Sequence, residues 1–216
     1  MQTATVLGWA LVGAALAVAL RPFVVRYAAA TEPAAGPPPY GVLEAATAVV
    51  FAALAYRFGQ SLELLAYSSL GGFGIPLATV DLIARKLPNM LLGGATGVLG
   101  IALGADAALN AHGGDLTRAA IAAAIALVAH GALYAAGMIG GGDLKLAGLL
   151  GAALGWISWE ATWLGLSAGW LLGGITIGVA RIVKSRGAIR DIPLGPFLLA
   201  GTLLCVALSG FWPTAH

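Results

Sequence analysis

The sequence predicts an all-α, polytopic integral membrane protein, a bundle of about eight transmembrane helices whose amino end lies outside. Its composition supports this, because 60% of the 216 residues are hydrophobic and only 9% are charged, whereas a typical soluble domain has about 25% charged residues. Apolar runs follow one another along the whole chain, with short polar, glycine-rich or proline-rich segments between them. We therefore expect residues 1–216 to form a single membrane domain.

The apolar runs are close in length to the roughly 20 residues with which a helix spans a bilayer. The run at 144–157 is short, but counting it as a span gives the later connections a consistent side of the membrane. In order, the runs cover residues 4–20, 42–56, 62–80, 90–109, 119–138, 144–157, 163–182 and 194–211.

The first run is interpreted as a retained helix. No basic residue precedes it, whereas Arg21 and Arg26 follow it, and a cleavable secretory signal has the opposite charge order. The next segment, 31–41, contains three consecutive prolines, 37–39, which a helix interior does not accommodate. We predict that this segment is a proline-rich cytoplasmic linker between the first two spans.

The basic residues indicate which loops are cytoplasmic. With eight spans and the amino end outside, nine of the 11 basic residues fall in cytoplasmic connections, as the positive-inside rule requires. These nine are Arg21, Arg26, Arg85, Lys86, Lys145, Arg181, Lys184, Arg186 and Arg190, and the other two are Arg57 and Arg118. The net charge of +2 is small and scattered, so we expect no nucleic-acid partner.

Glycine pairs with four-residue spacing occur in several runs and predict close helix packing within the bundle. The pairs are Gly93/Gly97, Gly100/Gly104, Gly151/Gly155 and Gly174/Gly178. The single cysteine, Cys205, lies in an apolar run and is interpreted as an apolar filler, since it has no second cysteine with which to form a disulfide or a zinc site.

Two acidic residues beside the spans are the main candidates for chemistry. Asp81 closes the third run, and Asp143 stands between three glycines and the sixth run. Acidic side chains in such positions are costly and are functional candidates by default. If the two carboxyl groups meet, they can share a proton and act as a general acid and a general base on a water molecule. Spacing alone leaves open that each is a solvated helix cap.

Two other kinds of function remain open at this point. In a small transporter or channel, Asp81 and Asp143 would bind or relay a cation, although both lie at one predicted end and the chain has no matching inverted halves. A scaffold without activity would have no need of either carboxylate. His112 and His130 have no partner at metal-ligand spacing, and we expect Asp106 to be a solvated residue of an external loop with Asp115.

Two ordered motifs resemble those of the type IV prepilin peptidases, membrane aspartic peptidases of the GxGD type. Residues 140–146 read GGGDLKL and resemble the family signature G-x-G-D-x-K-L, and Asp81 followed by Pro88 and Asn89 resembles the other aspartate box. Weaker matches at 40–44 and 192–197 extend the resemblance over most of the chain. It implies that Asp81 and Asp143 are catalytic. The supporting residues that it implies are Gly140, Gly142, Lys145, Glu44, Pro88 and Asn89.

The resemblance also implies a substrate and a location. We expect an endopeptidase that cleaves the leader peptide of type IV prepilins or type II secretion pseudopilins, at the cytoplasmic face of the bacterial inner membrane, without metal or cofactor. Membrane lipid is a further expected partner, and a homo-oligomer is left open. Larger family members carry a cysteine-rich, zinc-binding domain after the first span and are associated with methylation of the cleaved pilin. Here the segment 31–41 takes that place, so a zinc site and methyltransferase activity are not expected.

Overall fold

The computed structural model describes residues 2–34, 36–183 and 193–211. Over these ranges the chain is all-helical, with no strand. The helices are α1 (Gln2–Thr31), α2 (Val42–Phe58), α3 (Leu62–Ala84), α4 (Asn89–Asn110), α5 (Gly113–Ala135), α6 (Gly141–Ile157), α7 (Trp159–Val183) and α8 (Gly195–Leu208), followed by a short 3-10 turn at Ser209–Phe211.

The eight predicted spans correspond one to one with these helices, and the predicted helical membrane bundle is confirmed. Four helices, α1, α4, α5 and α7, are each long and apolar enough to cross a membrane. The short run at 144–157 forms α6, which is buried almost continuously over its length. Its neighbours, rather than lipid, cover its apolar surface, so a helix of 17 residues is sufficient there.

Contacts between helix ends establish an up-and-down arrangement. Gln2, at the start of α1, donates to the carbonyl of Tyr56 near the end of α2, and Trp156, at the end of α6, donates to Glu63 at the start of α3. We call this the far end of the bundle. Asp81, near the end of α3, and Asp143, at the start of α6, therefore lie at the opposite end, which we call the aspartate end.

Charge is distributed unequally between these two ends. Among the described basic residues, Arg57 and Arg118 lie toward the far end, whereas the others lie toward the aspartate end. Those others are Arg21, Arg26, Arg85, Lys86, Lys145 and Arg181; Lys184, Arg186 and Arg190 lie outside the described residues. The positive-inside rule therefore favours a cytoplasmic aspartate end and an amino end outside.

The first helix is longer than its apolar run, because α1 continues past Pro22 to Thr31 and has 30 residues. Arg21, which lies in this extension, is buried, since the linker folds back over it. The described residues between α1 and α2, 32–34 and 36–41, are non-helical. A charged residue at the end of an apolar run thus did not end the helix.

The predicted glycine packing is confirmed for one pair and wrong for the others. A Cβ on Gly151 would lie 2.8 Å from the Cβ of Ala126, and Gly155 packs equally closely on Ala122, so this pair joins α6 to α5. By contrast, no neighbour lies within 4 Å of a Cβ placed on Gly93, Gly97, Gly100, Gly104, Gly174 or Gly178 in the described structure. Helix α4 packs inward through Leu91, Ala95 and Leu99 instead, and the glycines of its two predicted pairs face open space.

Candidate active site

Asp81 is positioned by the last turn of α3. The helix ends at Arg85, which adopts a left-handed conformation (φ 51°) and donates its amide to the carbonyl of Asp81. Pro88 is buried and follows three residues later, where its ring prevents the helix from continuing. The side chain of Asp81 is directed into the bundle, and the residue is only 5% exposed.

Asp143 is positioned by the first turn of α6. The amide of Gly140, at the residue preceding the helix, donates to Asp143 Oδ2 at 3.3 Å. A carboxylate at this position also faces the positive end of the helix dipole. Through this hydrogen bond, the backbone of Gly140 orients the Asp143 carboxyl group.

The two aspartate segments are in direct contact. A Cβ on Gly142 would lie 2.8 Å from the Cβ of Leu87, so only glycine lets the start of α6 approach the connection between α3 and α4 this closely. A second link is the hydrogen bond from Lys145 Nζ to Asn89 Oδ1, at 3.1 Å. Gly142, Lys145, Pro88 and Asn89, all implied by the resemblance, thus lie at one junction.

This junction places the two carboxyl groups on the same side of the bundle, near enough for the charge of Asp143 to act on Asp81. One oxygen of each group, Asp81 Oδ2 and Asp143 Oδ1, is buried without a hydrogen-bond partner among the described residues. Buried polar atoms are normally paired, and two carboxylates at close range resist joint ionisation. The arrangement suits two acids that share a proton and take a further ligand between them.

Gly195, the first residue of α8, is a site residue that the sequence did not single out. A Cβ there would lie 2.7 Å from Asp81 Oδ2 and 3.4 Å from Leu87 Cδ2, and its amide faces both carboxyl groups. The only sequence signal was the weak match at 192–197, of which residue 192 lies outside the described residues. Two prolines, Pro193 and Pro196, mark the start of a helix there, but nothing in the sequence indicates what that helix approaches.

Glu44 is placed in a different cluster at the aspartate end. Its carboxylate accepts from Arg21 Nη1 at 3.1 Å, and the same guanidinium donates to the carbonyl of Pro38 at 2.7 Å and lies 3.9 Å from the ring centre of Tyr40. We call Arg21, Glu44, Pro38 and Tyr40 the linker clasp. Glu44 therefore supports the linker through Arg21.

His130, for which the sequence offered no partner, lies in α5 on the side of the bundle near Asp143. Its Nδ1 is 2.9 Å from the carbonyl of Ala126, and Trp170 Nε1 donates to its Nε2 at 3.2 Å. These two partners fix a neutral ring with the proton on Nδ1. His130 thus joins α5 to α7 beside the carboxyl pair.

The expectation that Asp106 is solvated is wrong. Asp106 is 3% exposed and accepts from Asn110 Nδ2 at 2.7 Å, and its other oxygen lies 2.6 Å from His112 Nδ1. This hydrogen bond raises the pKa of His112. The carboxylate turns inward because both partners are supplied by the following six residues, so it does not need water.

The described residues contain no group of three or more His, Cys, Asp and Glu side chains placed to hold a metal ion. Cys205 is buried in the apolar core, where its thiol contacts the carbonyl of Ala161 at 3.4 Å. Its predicted role as an apolar filler agrees with this position.

Comparison with known proteins gives a relative in Bacillus subtilis (strain 168), a prepilin leader peptidase/N-methyltransferase, which is 32% identical over 169 residues. The aligned region covers 76% of this chain and 64% of the relative, so the chain spans less than two thirds of the length of that protein. No family model matches the chain. No solved structure matches it.

Proposed function

Because the chain belongs to the prepilin peptidase family, we propose that it is an aspartic endopeptidase that cleaves the leader peptide of prepilins or pseudopilins. The cleavage takes place at the cytoplasmic face of the bacterial inner membrane. The observation that carries this proposal is the pair Asp81 and Asp143, whose segments meet where Gly142 packs on Leu87 and each of which has a buried oxygen without a partner among the described residues.

The surroundings of the two carboxyl groups suggest different roles. Asp143 accepts the amide of Gly140 at a helix N-terminus, an environment that stabilises its charged form, so we assign it as the base that takes a proton from water. Asp81 is the more buried of the two, and burial favours the neutral acid. We assign Asp81 as the acid that hydrogen-bonds the carbonyl oxygen of the scissile peptide bond.

Hydrolysis then proceeds without a covalent intermediate. The water oxygen bonds to the carbonyl carbon while its proton passes to Asp143 and the proton of Asp81 passes to the carbonyl oxygen. When the carbon–nitrogen bond breaks, Asp143 gives its proton to the leaving amine and the former carbonyl oxygen returns its proton to Asp81. Both carboxyl groups end in the state in which they began.

The position of the pair matches the expected substrate. The aspartate end carries most of the described basic residues, which favours a cytoplasmic location. A substrate that has an apolar helix in the bilayer and a leader on the cytoplasmic side presents its scissile bond at this level. We place the bond beside Asp81 and Asp143, at the membrane edge of the bundle.

The test is a cleavage assay in membranes in which the protein is co-expressed with a prepilin-like substrate and the shortened product is resolved on a gel. Asp81→Asn and Asp143→Asn are each expected to reduce cleavage by at least about 100-fold, the scale of acid–base catalysis. Asp115→Asn is the matched control, because Asp115 pairs with Arg118 at the far end. Full cleavage by either site variant would overturn the proposal, and cation flux through liposomes containing the protein would then favour a transporter.

The Bacillus subtilis relative is named for a second activity as well, N-methylation. We propose cleavage without methylation for this chain, because the linker clasp occupies the connection between α1 and α2. A labelled methyl donor added to the same assay separates the two activities. Transfer of label to the cleaved substrate would contradict this part of the proposal.

A further inference from the structure

The start of α8 approaches the carboxyl pair more closely than any residue except glycine would allow. Gly195 is buried, and a Cβ at this position would lie 2.7 Å from Asp81 Oδ2. Leu194 precedes the helix and offers no side-chain cap, Pro196 has no N–H, and the amides of Phe197 and Leu198 donate to the carbonyl of Leu194. The amide of Gly195 is therefore the one at this helix end that is placed to donate to another acceptor.

Asp81 supplies an acceptor in the right place. The residue is 5% exposed, and among the described residues its Oδ2 has no hydrogen-bond partner, although it is the atom nearest to Gly195. A helix N-terminus carries a partial positive charge and stabilises a nearby anion. The unpaired oxygen and the uncapped helix end thus complement each other.

We propose that Gly195 is a positioning residue that lets the positive end of α8 reach the carboxyl group of Asp81. This inference rests on the proposed function. When Asp81 gives its proton to the substrate carbonyl, it becomes a buried anion, and the amide of Gly195, at the positive end of α8, stabilises that anion. The backbone at the start of α8 then forms a third segment of the site, beside the segments of Asp81 and Asp143. It can contact Asp81 because Gly195 has no side chain.

The other charged groups around Asp81 do not take this role. From α6, Asp143 acts on Asp81 with the same sign of charge, and from α5, the ring of His130 is bound by the Ala126 carbonyl and the Trp170 indole. Further groups near this end have their own partners: Arg21 and Glu44, from α1 and α2, bind each other, and Lys145 of α6 binds Asn89 of α4. On α3 itself, Arg85 lies just beyond Asp81, at the exposed end of the helix.

The first test compares two glycines with the same steric restriction. In Gly195→Ala the new Cβ meets Asp81 Oδ2 at 2.7 Å, and in Gly165→Ala it meets the side chain of Leu154 at 2.7 Å. Gly195→Ala is expected to lower kcat about tenfold with little change in KM, and to move the alkaline limb of the pH profile upward by about half a unit to one unit, since Asp81 then holds its proton more tightly. Measured on the folded fraction of the protein, Gly165→Ala is expected to leave kcat and the alkaline limb unchanged.

A spectroscopic titration shows whether Gly195→Ala changes the protonation of Asp81 even if this variant is inactive. Infrared difference spectra follow the protonated carboxyl band of Asp81, which is identified by its loss in Asp81→Asn. The pH at which this band disappears is expected to rise in Gly195→Ala and not in Gly165→Ala. An equal shift in both variants, or no shift in Gly195→Ala, would overturn the inference.

If Gly195→Ala does not fold, Leu194→Asp provides the same test without adding an atom at residue 195. A carboxylate at residue 194 offsets the positive end of α8, so the Asp81 band is expected to persist to higher pH than in Leu194→Asn, which adds no charge. Equal titration in these two variants would also overturn the inference. Cleavage by the unaltered protein, and its loss in Asp81→Asn, test the proposed function separately.

Discussion

Gly142 and Leu87 form the contact that brings the two aspartate segments together. The position of a Cβ on Gly142 is 2.8 Å from the Cβ and 2.9 Å from the Cδ1 of Leu87. Because Leu87 follows α3 and Gly142 begins α6, this approach sets the separation between Asp81 and Asp143. The glycine directly before the second aspartate thus acts on the geometry of the carboxyl pair.

Replacing Gly142 by alanine is expected to lower cleavage by about 10- to 100-fold, because displacement of a catalytic group by about 1 Å has effects of that size. Gly141→Ala is the matched control, since its Cβ would be in ordinary contact with Tyr134 at 3.6 Å, and we expect it to retain most activity. Initial rates at equal protein abundance measure the difference. If the two variants cleave equally well, the close approach of Leu87 is not needed.

The linker clasp leads to a prediction about stability. In Arg21→Met, the carbonyl of Pro38 and the carboxylate of Glu44 lose their donor, and the loss of hydrogen bonds to a charged group is expected to cost about 1.5–3 kcal/mol. Glu44→Gln keeps a hydrogen-bond acceptor for Arg21 and is expected to cost about 1 kcal/mol. Unfolding in mixed detergent micelles measures both losses.

The same two variants separate the linker clasp from catalysis. Because Glu44 binds Arg21, we expect Glu44→Gln to retain kcat within a few-fold, unlike Asp81→Asn. Loss of cleavage by Glu44→Gln at full stability would place Glu44 in the catalytic machinery instead.

The helices were predictable because their apolar runs are long and are interrupted by polar, glycine or proline segments. Even α6 was predictable, since the distribution of basic residues requires a span there. The end of α1 was not, because Arg21 looks like the limit of an apolar run until the linker that binds it is known. The length of an apolar segment can be read from the local sequence. The group that stabilises a charged residue within the helix, such as the linker that binds Arg21, lies elsewhere in the chain and cannot be read there.

The site was predictable in part for the same reason. Asp81 and Asp143 stand out as acidic residues beside apolar runs, whereas the approach of Gly195 to Asp81 depends on two helices that are far apart in the chain. Asp106 was misjudged, because its burial depends on His112 and Asn110 turning back toward it. The sequence thus showed which residues have acidic side chains, but not which distant residues lie against them.

The two kinds of glycine pair lead to opposite expectations for stability. Gly151→Ala places a methyl group 2.8 Å from Ala126 Cβ and 2.9 Å from the carbonyl oxygen of Ala122, and we expect it to destabilise the bundle by about 1–3 kcal/mol. Gly97→Ala adds a methyl group in open space and is expected to be neutral or to stabilise α4 by up to about 1 kcal/mol. Thermal unfolding in one detergent compares them. Destabilisation by Gly97→Ala would mean that the outer face of α4 is packed, as in an oligomer.

The pair His112 and Asp106 predicts a pH dependence at the far end of the bundle. The hydrogen bond to Asp106 raises the pKa of His112, so the folded protein binds this proton more tightly than the unfolded chain, in which the pKa is about 6.5. The stabilisation is fully present below that pH and is lost as the pH rises through the higher pKa of the folded state. The thermal midpoint of the unaltered protein should therefore fall over this window, and His112→Gln should remove that fall. Asn110→Ala, which removes the other partner of Asp106, should lower the midpoint by a similar amount at every pH; a pH dependence that persists unchanged in His112→Gln would assign it to another group.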